Sequence, residues 1–157
     1  MATVYSVQKT NWNQTVPAVN NKTNEMGGRV RIAHGVYEAS ALASGDVIEM
    51  FNIPNGARLI EGSLAHDALG GSTTLSVGYA AHTNSSGTAV SASAAAYKAA
   101  AASTSAQCVD CVNTLALGAN SEVDLDQDLK GNEFVVTVTT TGTTTGTIEL
   151  TMFYVVA

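Results

Sequence analysis

The residues best suited to chemistry are two cysteines in C-V-D-C, Cys108 and Cys111, three histidines, His34, His66 and His82, and an alternating acidic run, Asp124, Asp126 and Asp128. A C-x-x-C pair supplies half of a zinc site, and the histidines lack the H-x-x-x-H spacing that would supply the rest. A redox dithiol needs the strand-to-helix turn of a βαβ unit, and no such pattern surrounds the pair. The cysteines therefore read as two buried thiols or a strained local disulfide.

In a calcium loop beginning at Asp124, the sixth position would be glycine and the twelfth an acid, but Leu129 and Val135 stand there. Alternation puts the three carboxylates on one edge. Two readings stay open, a solvated acidic face and a weak cation site between subunits. No serine sits in G-x-S-x-G or beside a histidine, and Gly27, Gly28, Gly70 and Gly71 match neither phosphate-loop pattern. Nothing in the spacing of the carboxylates calls for paired acid chemistry. No catalytic, cofactor-binding or metal-binding residue is assigned, and the chain reads as a non-enzyme.

If no site organises the chain, its packing must. The 157 residues fit one domain, and Val, Leu, Ile and Phe together supply only 35 of them, against 24 Ala, 19 Thr, 14 Gly and 13 Ser. Such a composition fills a thin sandwich, so further burial between subunits is expected. The net charge of −6, with only seven Lys and Arg, argues against nucleic acid, because phosphate binding needs several cations on one face. No stretch reaches the roughly 18 to 20 apolar residues of a membrane span, and MATVYSVQKTNW lacks the charged start and apolar run of a signal peptide. Synthesis in the cytoplasm is the expectation.

Period-two alternation of β-branched residues begins at Arg29, with Val30, Ile32, His34 and Val36 on one face. Strands are expected near 29–37, 46–53, 57–66, 73–80, 133–140 and 147–156, with a shorter one over 112–117. I-P-N-G at 53–56 and DALGG at 67–71 read as turns, and the Thr-rich tract 139–147, hinged at Gly142 and Gly146, as a hairpin turn. The alanine density of AVSASAAAYKAAAAS favours a helix near 90–103, a flexible spacer being the alternative. The sum is an all-β jelly-roll or Greek-key sandwich with one short Ala-rich helix, and connections as long as 80–113 can cross between sheets.

Residues 1–28 differ from the domain at 29–157. They are polar and asparagine-rich, with apolar residues at no fixed period. A solvated tail is one reading. The other is an extended arm that orders on a partner through Val4, Tyr5, Val7, Trp12 and Val16, favoured because the segment holds the only Trp.

The strings GGRVRIAHGVYEA, SGDVIEMFNIPNGARLIEGSLAHDALGGSTTLSVGYA, AAAYKAAAAS and GTIELTMFYVV, in this order over residues 27–157, resemble the small β-sandwich head decoration (cement) proteins of tailed bacteriophages. The resemblance implies a non-enzymatic, jelly-roll-like virion protein, often a homotrimer, seated on the capsid exterior and clamping capsomers of the major capsid protein. It implies no cofactor and carries over no site residue, and the cysteine pair is not a feature of that family. A tail, fibre or baseplate component is a second reading, although no repeat or trimerisation stalk is visible. A carbohydrate-binding or adhesion module is a third, with few aromatics to serve it.

Overall fold

Alternation becomes strand wherever one side of it can be buried. The computed structural model describes residues 4–113 and 121–156. Among them are a short helix, α1 (Val7–Asn13), and ten strands: β1 (Val30–Leu42), β2 (Val47–Ile53), β3 (Ala57–His66), β4 (Thr74–Tyr79), β5 (His82–Thr83), β6 (Ala89–Val90), β7 (Ser93–Ala102), β8 (Gln107–Cys111), β9 (Phe134–Thr141) and β10 (Thr144–Val156). Eight of them form two four-stranded antiparallel sheets, ordered β1-β10-β3-β8 and β2-β9-β4-β7, while β5 and β6 make a separate ribbon. Successive long strands switch sheets at every step except β4 to β7, which is the jelly-roll order.

The tight turns perform these switches. Gly56 (φ 72°) turns β2 into β3, and Gly142 (φ 76°) turns β9 into β10, positive angles that glycine adopts without steric cost. The tract 139–147 is thus a tight turn, but not of a hairpin, since β9 and β10 lie in different sheets. Thr140 and Thr144 close it through their buried hydroxyls.

One core lies between the sheets. Leu64, Ile148, Leu150 and Met152 from the first sheet join Ile48, Leu75, Val77, Val136 and Val138 from the second, each at most 5% exposed. Burying a side chain of this size contributes about 1.5–3 kcal/mol. Phe134 and the fully buried Tyr97 extend the core towards Tyr79, with Tyr79–Phe134 ring centroids 5.4 Å apart. Burial raises the Tyr97 phenol well above the usual tyrosine range.

The Ala-rich segment is strand β7, not the helix expected over 90–103. Helix propensity is worth only tenths of a kcal/mol per residue, and sheet pairing overrides it here. β4 would otherwise lack a neighbour on that side. Leu75 pairs with Ala101, Val77 with Lys98 and Tyr79 with Ser93, through two register shifts. The strands approach so closely that a Cβ on Gly78 would fall 1.7 Å from the Ser93 carbonyl oxygen. The short strand expected over 112–117 lies largely outside the described residues, and β8 precedes it.

β1 resolves its alternation in an unexpected sense. Its core side is made of small residues, Ala33, Gly35 and Ala39, and a Cβ on Gly35 would fall 2.8 Å from the Met50 carbonyl oxygen of β2. Val30, Ile32 and Val36 consequently point outward.

Candidate functional site

Residues 4–28 do not run as an extended arm. Ser6 starts α1, its hydroxyl accepting from the Lys9 amide at 3.2 Å, and the chain then folds back through an isolated bridge between Thr15 and Ala18. The Asn21 side chain ties the return to the helix, accepting from the Asn11 amide group and donating to the Gln8 carbonyl. Two of the asparagines that look like disorder in the sequence, Asn11 and Asn21, are the struts of this hook, which surrounds a groove of about 440 Å³ beside Trp12, Val19 and Met26. A short helix was not legible there, because seven residues carry no full apolar period and Ser6 alone marks the start.

All five expected contact residues face solvent. Val4 and Val16 are 88% exposed, Val7 70%, Trp12 68% and Tyr5 59%, and α1 buries no residue. The hook brings Trp12 near its own polar struts, Asn11 and Asn21.

The arm is held only at its base. Among the described residues, hydrogen bonds and ion pairs from the arm to the sandwich start at Lys22, Asn24 and Glu25: Lys22 pairs with Glu122, Asn24 donates to the Gly56 carbonyl, and Glu25 accepts from Arg58. Arg58 also donates to Glu122 at 3.1 Å. The Lys22 ammonium, and more weakly Arg58, hold the Glu122 carboxyl below the usual carboxylate range. Gly28 then passes so close to β10 that a Cβ there would fall 2.0 Å from Val155 Cγ1. None of these tether residues was singled out from the sequence, since each pairing joins positions about 30 to 100 apart.

The outer face of the β1-β10-β3-β8 sheet is the second feature. Across the register Ile32 lies beside Phe153 and Glu61, His34 beside Thr151, Ser63 and Asp110, and Val36 beside Glu149, Ala65 and Cys108. Val30, Ile32 and Val36 are 55–63% exposed. A recess of about 330 Å³ opens between Phe153, Ile60, Ser63 and Asp110. The face is apolar along its β1 edge and at Phe153, polar across its middle row at His34, Thr151 and Ser63, and carries carboxylates at Glu61, Glu149 and Asp110.

The candidates for chemistry are dispersed. Cys108 is exposed and Cys111 buried, both as free thiols, and burial pushes the Cys111 thiol up to about 12. His34 bonds Thr151, His66 bonds the Asp67 carbonyl, and His82 packs on Tyr79 and Phe134. Asp124 accepts from the Ser85 amide and Asp126 from the Asp128 amide. Among the described residues no three His, Cys, Asp or Glu side chains converge on a metal-sized space, and no helix is long and apolar enough to cross a membrane.

No family model matches the sequence, and no curated protein does. Solved structures do match. A chain in the capsid of Ralstonia phage GP4 is similar at a TM-score of 0.61 and 22% identity, over 83% of this chain and 86% of that one. A chain in the cyanophage Pam1 capsid asymmetric unit is similar at a TM-score of 0.59 and 15% identity, over 92% of this chain and 97% of that one. At these identities the likeness is one of fold, and the fold is one that two phage capsids contain.

Proposed function

We propose that the chain is a structural component of a tailed-phage virion that binds the outside of the capsid and stabilises contacts between capsomers of the major capsid protein, as a decoration or cement protein. The observation that carries this reading is the fold match, which spans nearly the whole of both chains and joins this protein to parts of capsids. The arm supports it, since five exposed apolar side chains in one short segment suit a binding surface. So does the acidic charge, which suits protein partners better than a phosphate backbone. On this reading the protein is made in the host cytoplasm, has no catalytic role or cofactor, and stands on the shell as a homotrimer, its thin core supplemented by contacts between copies.

The test is to add the purified protein to shells that lack it. Saturable binding on the exterior in electron micrographs, with greater resistance of the shells to heat and osmotic shock, is the expected result. Absence of binding to expanded shells at micromolar concentration overturns the reading. Removing residues 1–26, or making Trp12→Ala, is expected to leave a folded sandwich that protects shells less well.

A further inference from the structure

The arm and the outer face of the β1-β10-β3-β8 sheet are each half of an interface. Within the arm Asn21 bonds Asn11 and the Gln8 carbonyl, and Tyr5, Val7 and Trp12 are left in water. The face leaves Ile32 in water beside Phe153 and Val36 in water beside Glu149, and adds a recess bounded by Phe153, Ile60 and Ser63. Buried aromatic anchors seated in pockets are where binding energy concentrates.

Charge decides which halves meet. Residues 4–21 contain Lys9 and no acidic residue, whereas the face carries Glu61, Asp110 and Glu149 across its register, and Arg58, at its Val30–Val155 end, is already paired with Glu25 and Glu122. Two faces brought together would oppose carboxylates to carboxylates, and two arms would oppose lysine to lysine. Only the arm on the face brings opposite signs together, and like charges at an interface select against the wrong pairing.

We propose that the arm of one copy of this chain docks on the outer β1-β10-β3-β8 face of a second copy, with Trp12 in the recess beside Phe153 and Lys9 against the Glu61 and Asp110 carboxylates that line it. The contact joins two different surfaces, so it repeats head to tail and closes into a ring when the rotation between copies allows. This deepens the reading above, which sets copies side by side on a shell, by naming the surface that the arm grips.

A mixing experiment tests it. One chain carries Ile32→Asp, at an exposed position, and keeps its arm; the other lacks residues 1–21 and keeps its face. Circular dichroism checks that both remain folded, and Phe153→Ser is a second way to spoil the face. Each variant alone is expected to stay monomeric in light scattering at concentrations where the unaltered chain associates. Mixed, they are expected to form a one-to-one dimer that grows no further, because the only arm left meets the only face left. Trp12→Ala should weaken association of the full chain by about thirtyfold or more. The proposal is overturned if the mixture stays monomeric, if the chain without its arm still associates, or if the unaltered chain is monomeric because its arm folds onto its own face. Shell binding is measured separately. Binding to shells with failure of the mixing test removes the arm-to-face contact alone, and complementation without shell binding removes the decoration reading alone.

Discussion

The sandwich and the arm contain similar apolar residues in opposite situations. In the sandwich, Val77, Val136 and Val138 are fully buried between two sheets. In the arm, Val4, Val7 and Val16 stand in water around a helix that buries nothing. Ordering a backbone costs roughly 1–2 kcal/mol per residue, which apolar burial offsets in the sandwich and asparagine struts offset only in part in the arm. The sandwich therefore buries its apolar side chains, whereas the arm leaves its own in water. β1 belongs to both classes, buried through Ala39 and exposed through Ile32.

The contrast can be broken most directly at the core. Leu150→Ala is expected to lower unfolding free energy by about 2–5 kcal/mol in urea melts, since the fully buried side chain leaves a cavity. Gly78→Ala should cost about 1–3 kcal/mol or more, because the new methyl meets the Ser93 carbonyl and β7 must move away from β4. Trp12→Ala, removing a larger side chain, should change the stability of the dilute chain by less than about 0.5 kcal/mol. If its melt shifts as far as that of Leu150→Ala, the arm is part of the folding unit and the distinction fails.

Finer tests sharpen it. Cys111→Ser should cost about 1–3 kcal/mol and Cys108→Ser almost nothing, with one thiol per native chain reacting with a thiol reagent at pH 8 and two in denaturant. The smallest effect is expected at the tether. Lys22 lowers the Glu122 pKa in the folded chain, so that contact is fully present above the ordinary carboxylate value of 4.5 and is lost as pH falls through the lowered value. Proteolysis within residues 1–21 should accelerate over that acid range, and Glu122→Gln should give the faster rate at neutral pH. Because the pair is exposed, the change in global stability is small.

Strand positions were legible because alternation and turn glycines are local: the reading of 57–66 matches β3, and 46–53, 73–80 and 133–140 fall within a residue of their strands. What escaped was set by pairing across the sequence. AAAYKAAAAS favours helix on its own and becomes strand because β4 borders it. Alternation in β1 divided its residues into two faces but did not say which faced the core; the small Ala33, Gly35 and Ala39 were the available signal, since a thin sandwich accepts small residues inside. The five arm positions were legible as apolar residues without a period, whereas Lys22, Asn24 and Glu25 gain meaning only once Gly56, Arg58 and Glu122 lie beside them.

The arm joins the sandwich at the start of β1, and β1 pairs with β10 at eleven register positions from Val30 to Leu42. Ladder hydrogen bonds in an antiparallel pair lie across the strands. A pull on the arm directed along β1 would load the bonds in shear, so that they share the force, whereas a pull across the sheet would open them one after another. The tethers at Lys22, Asn24 and Glu25, and then Gly28 close against Val155, precede β1 on that path. The junction is thus built to bear tension directed along β1 better than tension directed across it.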